Sequence, residues 1–303
     1  MDAPFKIIVD SRNAIEGHGG RFSFQLPEAM QVPKNYVCYV SQASVSNSFL
    51  TTGTFVGSRT NTFYWCERVI NNATVFNYAT LPEQKYDAES LAGALQLAIN
   101  NASWFGGGNH YTVTYNESRN TFLISIPSDG SRSFFVPDDS LMELPQFQAQ
   151  VNPRTAGYAA WTPNWSNLQS CMGLFGLGKR SSEGTSYAAF EALLAAPHLP
   201  LLRETGSIDV RRLHNAYIRS RALSSNNIIG PPDAQTLICK IPVTEQPGDI
   251  LLRYHSGAQH DYIACGGRTL NMLDFFVTDF EGNEISLRGG TLSLELLLCN
   301  QPL

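Results

Sequence analysis

The chain has 303 residues, of which 43% are hydrophobic and only 16% charged, and its formal net charge is −5. That length admits two domains or one large β domain with insertions, and either way a sizeable core. Soluble domains average about 25% charged residues, so this surface must be dressed in uncharged polar residues or hidden in subunit contacts. The acidic balance argues against whole-chain binding to nucleic acid, which is held largely by Lys and Arg on phosphates.

Strand patterns open the chain. Aromatic and β-branched runs with two-residue alternation predict strands at 5–10 (FKIIVD), 21–26 (RFSFQL), 35–47 (NYVCYVSQASVSN), 61–70 and 74–81. In the third run Tyr36, Cys38 and Val40 share one face, and Val37 and Tyr39 the other. Asp87 is placed to cap a helix in which Leu91, Leu95, Ala98 and Ala102 recur at spacings of three and four. A hairpin at 111–127 turns at Asn116–Asn120. Residues 128–165, rich in Pro, Ser, Asp and Asn, read as loops with a short strand at SFFVP. Two short helices are expected next, NLQSCMGLF capped by Ser166 and YAAFEALLAA capped by Thr185 or Ser186. Strands return at 211–223, 235–243, 249–255, 262–265, 269–280 and 291–299, with Gly or Pro in the turns between them. Strands at both ends around a middle that holds the helices predict a mainly β protein, a single jelly roll built from both chain ends with an α+β insertion domain. The expected boundaries are 1–55 and 205–303 for the jelly roll and 56–204 for the insertion.

The candidate chemistry is thin. GLFGLGKR places Gly173, Gly178 and Lys179 as in a phosphate-binding loop, but Arg180 stands where the magnesium-binding hydroxyl belongs and no strand feeds it. His255, His260 and Asp261 offer metal-binding side chains without a further ligand at a supporting spacing. Near the end, DFEGNE sets Asp279, Glu281 and Asn283 like the first ligands of a calcium loop, yet its glycine comes too early, Gly290 replaces the closing Glu, and strands flank it. Asp279, Gly282 and Asn283 therefore read as a hairpin turn. Trp161 and Trp165, in a Pro- and Asn-rich loop, read either as an exposed contact or sugar-stacking surface or as a plug over one end of the sandwich. Arg211, Arg212, His214, Arg219 and Arg221 concentrate charge on one strand; they read as a solvated face or as a subunit contact, for which Arg is suited. The six cysteines sit in apolar surroundings with no C-x-x-C pair, and no apolar run of signal length opens the chain, so free buried thiols in a reducing compartment are expected. No segment approaches the ~20 apolar residues of a membrane span.

The last third carries a resemblance. RRLHNAYIRSRALSS, KIPV, HDYI and LDFFVTDFEGNEISLRGG are similar to segments of the penton (vertex minor capsid) proteins of virophages and Maverick/Polinton-type elements, the mavirus-like pentons above all. The matching positions are His214-Asn215, Ile241-Pro242-Val243, His260-Asp261, and Asp279 with Gly282-Asn283. YDAESLAGALQLAIN and LQSCMGLFGL in the middle are also similar, so the resemblance spans about two thirds of the chain. It implies a structural jelly-roll capsid protein with no enzymatic activity, catalytic residue or cofactor. That protein would form homopentamers at the vertices of an icosahedral virion, beside a double-jelly-roll major capsid protein, after assembly inside the host cell. The insertion would face outward, where a host receptor or glycan is a possible partner; no specific nucleic-acid binding is implied. The alternatives are another jelly-roll viral protein, a major capsid or spike protein, or a carbohydrate-binding jelly-roll module.

Overall fold

The computed structural model of the chain describes residues 4–53, 56, 61–69, 74–105, 108–128, 131–153, 170–178, 185–196, 199–211, 213–225, 234–246, 248–255 and 262–300. In chain order the first strands are β1 (Phe5–Asp10), β2 (Glu16–His18), β3 (Arg21–Gln31), β4 (Tyr36–Ser46), β5 (Thr62–Val69) and β6 (Val75–Thr80). Helix α1 (Ala88–Ala102) is followed by β7 (Thr112–Asn116), β8 (Thr121–Ser125), β9 (Arg132–Phe135), α2 (Asp139–Met142), α3 (Pro145–Gln150) and β10 (Asn152–Pro153). Then come α4 (Tyr187–Ala195), β11 (Leu202–Glu204), β12 (Asn215–Arg219), β13 (Leu237–Pro242), β14 (Ile250–Tyr254), β15 (Thr269–Thr278) and β16 (Leu292–Asn300).

Two compact units divide these elements: residues 1–49, 54–56 and 213–303 form one, and residues 50–53 and 57–212 the other. In the first unit, one antiparallel sheet runs β1-β16-β4-β14 and a second runs β13-β12-β15-β3-β2. Leaving out the short β2, the chain alternates between the sheets at every connection except β12 to β13. Two four-stranded sheets interleaved in this order are the paired Greek keys of a jelly roll. The β period of two explains the core: Leu292, Leu294, Leu296 and Leu298 of β16 all point inward, against Phe22, Leu273, Phe275, Val277, Ala216 and Ile218 of the other sheet.

Several strand ends differ from the sequence reading. The run 211–223 forms strand only at Asn215–Arg219, and 262–265 contributes a single bridge, Ile263 to Cys38. The stretch NLQSCMGLF gives only a 3-10 turn at Met172–Phe175, ended by left-handed Gly176; its residues 167–169 lie outside the described ones. Two glycines in that short span remove helix propensity, and Gly176 at φ 64° stops the turn.

The second unit holds a four-stranded sheet, β10-β6-β5-β9, and a three-stranded one, β11-β8-β7. Its core is aromatic, with Phe63, Trp65, Phe122, Phe134, Phe147 and Phe175 all buried. Asp87 caps α1: its side chain accepts from Ser90 N–H and the Ser90 hydroxyl accepts from Asp87 N–H, a reciprocal capping box. Leu91, Leu95 and Ile99 form the buried face of that helix. The two ends of this unit meet in one hydrogen-bonded node. Thr51 Oγ1 donates to Val210 O at 3.1 Å and accepts Tyr86 N–H at 3.0 Å.

Candidate functional site

Three of the motif segments converge on the sheet β13-β12-β15. Asn215 pairs with Pro242, and Val243 N–H donates to His214 O at 2.9 Å, so the His-Asn and Ile-Pro-Val segments lie side by side. On the other side of β12, Tyr217 pairs with Thr278, the residue before Asp279. Segments separated by tens of residues in sequence thus occupy neighbouring strands at one corner of the sandwich. His260 and Asp261 lie outside the described residues.

The corner after β15 is a closed turn. Asp279 accepts Asn283 N–H at 2.9 Å through Oδ1 and the Asn283 amide at 2.8 Å through Oδ2. Gly282 takes φ +93°, and Thr278 bridges Glu284 across the turn. Both Asp279 oxygens are therefore engaged by one asparagine. Among the described residues, no group of three or more His, Cys, Asp or Glu could hold a metal ion.

The charged strand divides. Arg211 and His214 are exposed, and Arg212 lies outside the described residues. Arg221 is exposed, with its guanidinium 5.6 Å from the centre of the Phe276 ring, a cation–π contact. Its backbone N–H and that of Ala222 donate to Asp274 Oδ1 at 3.0 and 2.9 Å. Arg219 is different, being only 2% exposed. Its Nε donates to Thr278 Oγ1 at 2.8 Å, with longer bonds to Thr236 Oγ1 and Phe280 O, both 3.4 Å. A guanidinium covered and occupied within its own unit offers nothing to a second subunit, which corrects the contact reading for this residue. The cause is non-local: the β12–β13 register shifts between Ile218 and Arg219, and the 278–280 corner covers the side chain.

The other candidates are placed as follows. Trp161 and Trp165 lie outside the described residues, as do Lys179 and Arg180. The 3-10 turn at Met172–Phe175 follows Cys171, whose N–H donates to Thr62 O at 2.8 Å, and the described residues of this stretch end at Gly178. The His255 ring stands edge-on to Tyr39 with centroids 4.9 Å apart, a packing arrangement.

No family model matches the chain, and no curated protein matches it. Two solved structures are similar to it along nearly the whole length. The crystal structure of selenomethionine-labelled mavirus penton protein covers 98% of this chain and 99% of its own at 9% identity and a TM-score of 0.44. A chain of the Sputnik virophage, from its 3.5 Å cryo-EM structure, covers 99% of this chain and 98% of its own at 13% identity and a TM-score of 0.43.

Two features escaped the sequence reading. One is Glu67, fully buried on β5. Its Oε1 accepts from the Ser103 and Tyr111 hydroxyls, both at 2.7 Å, and its Oε2 from the Asn77 amide and Trp104 N–H, both at 2.6 Å. Burial, and then the Glu67 charge, push the Tyr111 phenol well above its usual range. A lone acidic residue inside the apolar run TFYWCERV was the available signal. The other feature is the outer row of β14, where Ile250, Leu252 and Tyr254 are exposed while Leu251 is buried. By its period of two the run DILLRYH sets Ile250, Leu252 and Tyr254 on one face and Asp249, Leu251, Arg253 and His255 on the other, a pattern that would bury the first face rather than leave it open.

Proposed function

We propose that this protein is a structural capsid protein that forms homopentamers at the vertices of an icosahedral virion. The observation that carries the reading is the interleaved strand order β1-β16-β4-β14 over β13-β12-β15-β3, with the penton-like segments brought together at one corner of the second sheet. The sequence resemblance supplies the capsid role, and the topology supplies the jelly roll that such a role uses. In this reading the insertion, expected at 56–204 and lying, but for Val56, within the second unit, faces outward and is available to a host receptor or glycan, and the first unit meets a double-jelly-roll major capsid protein. Arg211, His214 and Arg221 are exposed, and in this reading they face carboxylates of a neighbouring subunit.

A ring closes through heterologous contacts, where one face of a subunit meets a different face of the next. Native mass spectrometry of the purified chain is expected to show five copies. Co-expression with the major capsid protein is expected to place it at particle vertices in electron micrographs. A chain that stays monomeric at every concentration and never enters particles would overturn the proposal.

A further inference from the structure

Two buried thiols meet beside β4. Strand β14 pairs with β4 only over Gln42–Ser46, and residues 262–265 take the same side nearer its start. One antiparallel bridge holds them there: Cys38 N–H donates to Ile263 O at 3.0 Å, and Ile263 N–H to Cys38 O at 2.8 Å. Side chains two residues apart on an extended chain share a face, and Ile263 and Cys265 are both buried with Cys38 in the core of the first unit. The turn that follows fixes Cys265 in place. Arg268 N–H donates to Cys265 O at 3.2 Å, Gly267 N–H to Val32 O at 3.0 Å and Val32 N–H to Arg268 O at 2.8 Å. Gly266 lies so close to the chain entering β4 that a Cβ there would stand 2.3 Å from Lys34 O. The Cys38 and Cys265 thiols are joined by a hydrogen bond.

We infer that Cys38 and Cys265 are an oxidation site: exposed to hydrogen peroxide, the folded protein joins them in a disulfide that ties β4 to the segment running beside it. The inference stands whether or not the chain is a capsid protein. It rests on geometry, on the chemistry of the two thiols and on the lack of a better-placed pair.

Sulfurs already in hydrogen-bond contact, on side chains that point the same way, need only a short approach to reach bonding distance. The other thiols are placed differently. Cys66 and Cys171 belong to the core of the second unit, Cys239 Sγ accepts from the Arg253 guanidinium at 3.1 Å, and Cys299 stands on β16 opposite Val37. Within the pair the roles divide. The bond from Cys38, and then the Arg268 charge, lower the Cys265 thiol against the effect of its burial, while the same bond and burial raise Cys38. Cys265 is therefore the nucleophile. Exposed Gly266 and Gly267 follow it, so a brief opening of that turn admits a small oxidant. The Cys265 thiolate attacks one peroxide oxygen, the O–O bond breaks, and the hydroxide that leaves takes up the proton Cys265 released. Cys38 sulfur then attacks the resulting sulfenic sulfur, and the second hydroxide leaves with the Cys38 proton. Two thiols lose two electrons, and one peroxide becomes two waters. The bond closes a loop of more than two hundred residues that contains all of residues 57–212. A cross-link over so long a loop restricts the unfolded chain strongly.

The test treats the folded, reduced, full-length chain with hydrogen peroxide, blocks the remaining thiols and maps the peptides by mass spectrometry. A linked peptide joining Cys38 to Cys265 is expected, with two fewer titratable thiols than the six of the reduced chain. A protease cut within residues 57–212 should then leave two fragments that run together on a non-reducing gel and part on reduction. Thermal melts by circular dichroism should rise by about 5 °C or more on oxidation of the wild type. Cys38→Ser and Cys265→Ser are each expected to lose the linked peptide and the rise, and Cys299→Ser to keep both. If a serine in the core unfolds the chain, Cys38→Ala and Cys265→Ala make the same comparison. Six thiols surviving the treatment would overturn the inference. So would sulfinic acid at Cys265 without a link, a link made through Cys299, or one that forms only in the denatured chain.

Discussion

Glu67 shows how much one residue can hold. A buried carboxylate with four donors around it links β5, β6, the end of α1 and the segment entering β7. Glu67→Ala would strand those donors away from water, at a cost of about 3 kcal/mol or more. Glu67→Gln keeps the shape but turns one acceptor into a donor facing donors, and should cost less, about 1–2 kcal/mol. Both are read from urea midpoints followed by tryptophan fluorescence, because all four tryptophans lie within residues 57–212. The thiols make a second residue-scale case. None of the six is in a disulfide, and five are buried. Burial pushes the Cys66 and Cys299 thiols up, and the hydrogen bond with Cys265, then burial, raises Cys38 well above its usual range. Alkylation of the folded protein at neutral pH should therefore be slow, with the partly exposed Cys299 first to react, and peptide mapping would reveal the order.

At the scale of elements, local signals did well where the decisive contacts were local. Asp87 and the Leu91–Leu95 spacing sufficed for α1, and Asp87→Ala should destabilise the second unit by about 1 kcal/mol in the same fluorescence-detected unfolding. The turn at 279–283 was equally readable as a turn signal, since Gly282 at φ +93° needs a residue without a Cβ; Gly282→Ala should cost about 1 kcal/mol by circular dichroism melts. Period-two reasoning found the inner face of β4 but not why Val37 and Tyr39 on its other face are buried too. His255 and Tyr262 pack on the Tyr39 ring, and that covering segment comes from more than two hundred residues further along the chain. Arg219 was hidden from sequence for the same reason, its cover being the 278–280 corner. Which strands would be edges, and so which apolar rows stay open, depends on sheet order, a long-range property that no run of residues displays. The candidate contact surfaces were accordingly the least legible part of the chain.

At the scale of the molecule, acid should weaken the first unit along the β1 edge. Bonds from Lys6, then Ser41, hold Glu295 below the usual carboxylate range, and Arg12 does the same for Asp10. A carboxyl group depressed in the folded state contributes stability above the unfolded value of about 4 and loses it as pH falls through the folded one. Urea midpoints by circular dichroism should be level from neutral pH to about 5 and fall below about 4, and Glu295→Gln should flatten that fall. The node at Thr51 has a different bearing, on engineering. Because Thr51 touches Val210, the chain leaves for its long excursion and comes back at nearly the same point. Very little loop entropy separates a base bearing this insertion from one bearing a shorter or a foreign one. The two ends act as a clasp: an experimenter can graft a reporter or a binding module in place of the chain between residues 50 and 212 without widening the gap in the chain that it has to close.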